Sequence, residues 1–158
     1  MNTMQPIGHI PSFGKSGDVE IAGKIYHYAS RAELRFLQEI EICLRGEAIQ
    51  EFVWQPPAFP LTYKHGGSEW TQGYRADAMI TWSDSDEWVI EVKRGYMAQK
   101  ACTKVKRFCQ QYPDKKLVLV WIGSLPREPK PGKKGQAYRK LKMLEPLIDH
   151  VWQLEGRR

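Results

Sequence analysis

The stretch YRADAMITWSDSDEWVIEVKRG, residues 74–95, decides the fold. Residues 74–82 and 87–94 each read as a strand, rich in β-branched and aromatic side chains, and SDSD at 83–86 reads as the turn between them. Apart from a few charges, both strands are apolar on both faces, as central strands are when helices cover the sheet on either side. Side chains at i and i+2 of a strand share one face, roughly 6–7 Å apart. Glu91 and Lys93 therefore emerge together, and Val92 between them faces the other way. Asp77, on the antiparallel neighbour, can reach the same spot.

Outward from this hairpin the pattern alternates between helix and strand. Residues 1–15, with Pro6, Gly8, Pro11 and Gly14, read as a flexible arm. Residues 19–28 fit a short hairpin turning at Ala22-Gly23. Ser30-Arg-Ala-Glu33 is a capping-box pattern that opens a helix ending near Gly46, with a stripe of Phe36, Leu37, Ile40 and Leu44. IQEFVWQ, Pro56-Pro57 and AFPLTY together suggest one edge strand broken by prolines, and HGGSEW a turn. Gly95 closes the second central strand. Residues 97–112 form an amphipathic helix with a stripe of Ala101, Val105, Phe108 and Tyr112. A buried strand at 116–122, a Pro/Gly/Lys loop at 126–135, a helix near 136–145 and a last strand at HVWQL complete the chain. The expectation is an α/β fold with a mixed central sheet flanked by helices. After the arm, residues 16–158 form one domain, with its core at about 20–122 and the basic loop and C-terminal helix in 126–158.

Composition narrows the function. A chain of 158 residues, 42% hydrophobic and 27% charged, suits a single soluble globular domain. No apolar run is long enough for a bilayer and no signal-peptide core opens the chain, so the expected location is the cytoplasm, with no membrane partner. Cys43, Cys102 and Cys109 are expected as free thiols, and no Cys or His stands at a zinc-like interval from them. The four histidines fit no nucleophile–base spacing, and there is no glycine-rich phosphate loop. Charge is uneven. Between Lys93 and Lys142 there are fifteen Lys and Arg against two acids, a local +13, which leaves −7 for the remainder of a chain of net +6. Such a stretch offers a surface to a polyanion, against the plainer reading of a solvated basic face. Lys100, Lys104 and Arg107 at i, i+4 and i+7 make one basic helix face, and Lys133 and Lys134 add a loop pair.

Carboxylates and an ammonium amid apolar strands are costly unless they bind something. Asp77, Glu91 and the Val92 carbonyl, with waters, are the oxygen donors that Mg²⁺ prefers. Such a metal would lower the pKa of a bound water and neutralise a phosphoryl oxygen. Lys93 would then orient or activate the water, or stabilise the transition state. The plainer reading of Glu91 and Lys93 alone is a same-face ion pair. Their combination with Asp77 and a following basic helix favours chemistry. Glu33 lies at the edge of its helix's apolar stripe, so it either faces the sheet, caps the helix, or does both.

Asp77 and Glu91-Val92-Lys93 resemble the two motifs of the PD-(D/E)XK nuclease superfamily, with Arg-Ala in place of the usual Pro before Asp77. Within it the chain is most similar to the phage endonuclease I-like nucleases, which include Holliday-junction resolvases. The segment from Gly23 through Ser30 to Glu33 resembles their opening motif with a longer interval, and Gln55-Pro56-Pro57-Ala58-Phe59 loosely resembles a following strand. The resemblance spans about residues 20–122. It implies a restriction-endonuclease-like αβββαβ core and Mg²⁺-dependent DNA cleavage, Mn²⁺ being an accepted substitute, with Glu33 as the helix-borne acid. Branched DNA is among the substrates it implies, and recombination among the settings. Arg94, after Lys93, is a departure that bears on substrate choice and joins the expected DNA contacts. Two alternatives stay open: a DNA-cleaving subunit of a transposition or restriction-type complex, and a non-catalytic nucleic-acid-binding module. The oligomeric state also stays open, a homodimer included.

Overall fold

The computed structural model describes residues 16–156, so the arm read at 1–15 lies outside the described residues. Two short strands, β1 (Gly17–Ile21) and β2 (Lys24–Tyr28), form the expected hairpin. Helix α1 (Arg31–Arg45) follows, with Ser30 as N-cap and Gly46 as C-cap. Strand β3 (Ile49–Trp54) then enters the main sheet. A separate two-stranded ribbon, β4 (Phe59–His65) and β5 (Ser68–Tyr74), precedes β6 (Ala78–Trp82) and β7 (Glu87–Arg94). After α2 (Gln99–Gln111) come β8 (Lys116–Ile122), α3 (Gln136–Leu144) and β9 (His150–Leu154). The main sheet has the order β3-β6-β7-β8-β9, antiparallel from β3 to β7 and parallel from β7 to β9. The fold is α/β with a mixed five-stranded sheet between helices. Among the described residues no helix is long and apolar enough to cross a membrane.

The periodicity of β7 places its neighbours. Ile90 and Val92 face α1, packing with Phe36, Ile40, Val118 and Val120. Val89 faces the other side with Leu117, Leu119 and Trp121, covered by Cys102, Val105 and Phe108 of α2 and Leu141 and Leu144 of α3. Phe36, Phe108, Ile90 and Val105 are wholly buried. Each such side chain is worth about 1.5–3 kcal/mol on transfer from water. With both faces covered, β7 and β8 form the most deeply buried part of the sheet, and their alternation sends Glu91 and Lys93 to the α2 side.

Three expectations need correction. The region read as one edge strand broken by prolines is two strands in different sheets: β3 pairs with β6, and β4 pairs only with β5. The chain leaves the sheet at Gln55, whose backbone is left-handed, and Pro56-Pro57 carries it away. HGGSEW is not all turn. Only Gly66-Gly67 turns, both at positive φ, and β5 begins at Ser68. Six of the seven β5 residues are exposed, so no buried alternation marks it as a strand. Finally, the strand read across 74–82 is interrupted. Tyr74 ends the ribbon and Ala78 begins the sheet, and 75–77 is the crossing between them.

Candidate functional site

Asp77 is the last residue of that crossing, and its backbone is held from both sides. Its N–H donates to the Ile90 carbonyl at 2.9 Å, and its carbonyl accepts from Gln55 N–H at 2.8 Å. Its side chain then continues the ladder where β6 stops, with Oδ2 accepting from Val92 N–H at 2.6 Å. The N–H and carbonyl of one residue leave an antiparallel strand on the same edge. The Val92 carbonyl therefore opens toward Asp77 as well, while the Val92 side chain is buried against α1.

Among the described residues Glu91 is the one charged residue that is fully buried. Each of its oxygens has a partner: Lys93 Nζ lies 2.9 Å from Oε1, and the Tyr74 hydroxyl donates to Oε2 at 2.7 Å. Tyr74, buried at the end of the ribbon, is a site residue that the sequence reading missed. Burial, and then the Glu91 charge, raise its hydroxyl well above the ordinary phenol range, so it remains a donor. The β4–β5 ribbon thus supplies a hydrogen bond to the second central strand. The only sequence signal was a tyrosine at an apolar position three residues before Asp77.

The electrostatics are unbalanced. Burial, and next the Glu91 charge, push the Asp77 carboxyl up to about 7; the Val92 N–H and Lys93 oppose this, and Glu33 adds to it. For Lys93, burial pulls the ammonium down, but Glu91, Asp77 and Glu33 outweigh it and hold the group above the ordinary lysine value. Three carboxylates therefore act on one ammonium, of which only Glu91 is in direct contact with it. Glu33 takes part in this field while also capping α1: its N–H donates to Ser30 Oγ at 3.2 Å, and its Oε2 accepts from Ala29 N–H at 2.5 Å. The capping contact of the sequence reading is present, and the same helix end faces the charged cluster.

A divalent cation suits this donor set. Asp77 keeps Oδ1 and its partly engaged Oδ2, Glu91 keeps lone pairs on both oxygens, and the Val92 carbonyl lies on the same edge. All are hard oxygen donors, and Mg²⁺ commonly binds through one or two carboxylates while retaining waters. Among the described residues no three His, Cys, Asp or Glu side chains are gathered closely enough to enclose a metal. A cation here would be held by two acids and the backbone, open toward solvent.

The expected DNA contacts fall into two groups. Arg94, Lys100, Lys133 and Lys134 are exposed and Lys104 half-buried; among the described residues none of the five has an acidic partner within ion-pair distance. Arg107 is different: its guanidinium stacks over the Tyr63 ring of β4 at 4.9 Å, so it helps hold the ribbon against α2.

No curated protein and no solved structure matches the chain. Residues 14–129, which contain Glu33, Tyr74, Asp77, Glu91 and Lys93, match a family described as "Protein of unknown function (DUF1064)", and the chain belongs to that family.

Proposed function

We propose that this chain is a divalent-metal-dependent endonuclease that hydrolyses DNA phosphodiester bonds, of the PD-(D/E)XK type. The observation that carries the reading is the meeting of Asp77, Glu91 and Lys93 at one end of β7, with Asp77 raised because burial and Glu91 leave its charge unneutralised. Asp77, Glu91 and the Val92 carbonyl would hold Mg²⁺ or Mn²⁺. When bound, the ion supplies neutralisation at a phosphoryl oxygen and a water of lowered pKa. Lys93, fixed by Glu91, presents an ammonium at the mouth of the site, where it orients the attacking water and offsets charge building on the phosphate. Tyr74 restrains Glu91 from below. Glu33 sits close enough to bias Asp77 and Lys93 and holds the helix end in place. The basic residues of α2 and of the 126–135 loop would follow the DNA backbone, and branched DNA is the substrate form we favour testing first.

The test is incubation of metal-stripped protein with supercoiled, linear, single-stranded and four-way-junction DNA in Mg²⁺, Mn²⁺, Ca²⁺ or EDTA, with Glu91→Ala alongside. Cleavage is expected with Mg²⁺ and Mn²⁺ only, with Ca²⁺ permitting binding without turnover. Cleavage in EDTA, or undiminished cleavage by Glu91→Ala, overturns the proposal. Tight binding with no cleavage in any metal would instead leave a nucleic-acid-binding module.

A further inference from the structure

Beside the Asp77–Glu91–Lys93 cluster the molecule has a groove that no step above uses. It opens between the loop leaving β7, the start of α2 and one face of α3. Tyr96, Gln99, Gln136, Arg139, Lys140 and Met143 line a volume of about 520 Å³. That falls within the roughly 300–1,000 Å³ typical of small-ligand sites. Tyr96 stands three residues beyond Lys93 on the same chain segment, so its backbone lies within about 11 Å of that of Lys93. Lys140 anchors its wall by donating to the Met97 carbonyl at 2.9 Å.

The chemistry of the lining is specific. Tyr96 is 57% exposed although it is a large aromatic, and Met143 beside it is also exposed. The Lys140 ammonium lies 5.0 Å from the centre of the Tyr96 ring, and more than half of the residue stays exposed to solvent. Among the described residues Arg139 and Lys140 are the charged residues of the lining, with no acid beside them. Gln99 and Gln136 are the first residues of α2 and α3, and neither helix has an acid in its first turn. An aromatic platform, a soft thioether, two amides and two cations are the complement of one nucleotide: a base to stack, polar edges to hydrogen-bond and a phosphate to neutralise. A paired base cannot offer its face to Tyr96, because that face is covered within the duplex.

We infer that this groove binds one unpaired DNA nucleotide flanking the scissile phosphate, with the base stacked on Tyr96 and its phosphate held by Arg139 and Lys140. The inference rests on the nuclease reading and deepens it. The groove selects substrates in which a base next to the cut site is already out of the stack, as at a flap, a gap or a junction branch. Duplex DNA with every base paired bypasses the groove and pays the cost of unstacking if it is to use it.

The experiment uses the full chain in EDTA, so that binding is read without cleavage. The probe is a flap oligonucleotide with 2-aminopurine at the first unpaired position, compared with the same sequence fully paired. Wild type and Tyr96→Phe are expected to quench the unpaired probe alike, since stacking needs the ring and not the hydroxyl. Tyr96→Ala is expected to lose the quench and to bind the flap about tenfold more weakly, with duplex binding unchanged. Arg139→Glu, which leaves Tyr96 in place, should weaken flap binding as well and guards against a fault peculiar to the first variant. Quench and affinity retained in both Tyr96→Ala and Arg139→Glu, or equal loss on flap and duplex, would overturn the inference. Its failure is separable from that of the nuclease reading. Cleavage in Mg²⁺ without Tyr96-dependent quench sinks the groove alone, and quench without cleavage sinks the nuclease alone.

Discussion

Two acid–lysine contacts sit near opposite ends of β7, in opposite surroundings. Before the strand begins, Lys116 Nζ lies 2.6 Å from Asp86 Oδ1; toward its end, Lys93 Nζ lies 2.9 Å from Glu91 Oε1. The residue types and distances are nearly the same. At the first contact, however, the hydrogen bond from Lys116, and then that from the Trp88 indole, hold Asp86 below the ordinary carboxylate value, and the pair is partly exposed to water. At the second, burial and a neighbouring carboxylate raise Asp77 to about 7 in spite of Lys93. A salt bridge by itself therefore marks nothing. The difference lies in burial and in an excess of acids over bases, a combination that persists where a site has something further to bind.

Asp77→Asn should break this comparison most severely. Cleavage should fall below detection, because one of the two acids proposed to hold the metal is gone. The metal-free protein should also change its response to pH, and the sign follows from the raised value. A carboxyl held more protonated in the folded chain than in the unfolded one contributes stability below the ordinary Asp value, and that contribution is lost as pH rises toward about 7. Metal-free wild type should therefore lose melting temperature relative to Asp77→Asn between about pH 4 and 7. Mg²⁺ should restore it, since the cation favours the ionised form. Parallel melting curves for the two proteins across that range would show that Asp77 is not strained by its neighbours.

Tyr74→Phe tests whether the ribbon serves the site. The substitution leaves Glu91 Oε2 buried without its donor, a loss of about 1–3 kcal/mol. As a positioning residue, Tyr74 should act on Glu91 and not on DNA. The expected result is a drop in kcat of roughly 10–100-fold with KM for DNA unchanged, together with weaker Mg²⁺ affinity. A rise in KM with unchanged kcat would place the role of Tyr74 in DNA binding.

The effect of Glu33→Gln should be smaller. Gln preserves the capping contacts, so the melting temperature should hold, and the removed charge should lower the rate by about tenfold. Ser30→Ala is the counterpart, expected to cost about 0.5–2 kcal/mol of stability with cleavage kept. An unchanged rate in Glu33→Gln would assign the residue to the helix cap alone.

These residues also show how far the sequence could be read. The order of the main elements, both ends of α1, and the placing of Glu91 and Lys93 on one face followed from local signals: a capping box, a glycine stop and period-two alternation. Asp77 was legible as a position but not as a conformation, because the crossing from ribbon to sheet at 75–77 depends on where β5 finds its partner. The ribbon was illegible for the same reason. β5 buries almost nothing, so its strand character comes from pairing with β4 alone. Tyr74 was lost with it, since a hydroxyl that acts through a partner seventeen residues away leaves no local pattern. Arg107 looked like its neighbours on the helix face, and only the position of Tyr63 sets it apart.

The smallest effect is expected at the exposed end of β7, and it is the control for everything above. Lys116→Met removes the ammonium from Asp86 but spares the Trp88 indole, which still donates to the other carboxylate oxygen at 3.0 Å. Lys116 lies at the first position of β8, where its stem is solvated, so Met adds no buried polar group and opens no cavity. The attraction lost is one between two hydrated charges, offset by the side-chain freedom regained. The melting temperature should shift only slightly, and less in high salt than in low, because screening has already weakened the pair. The sign with pH is the reverse of that at Asp77. A carboxylate lowered by its partner contributes stability above the ordinary Asp range and loses it as pH falls through the lowered value, so variant and wild type should converge in acid. Cleavage should not change at all. A melting loss in Lys116→Met as large as that in Tyr74→Phe would mean that pairing, and not burial, sets the worth of these contacts, and the contrast between the two ends of β7 would fail.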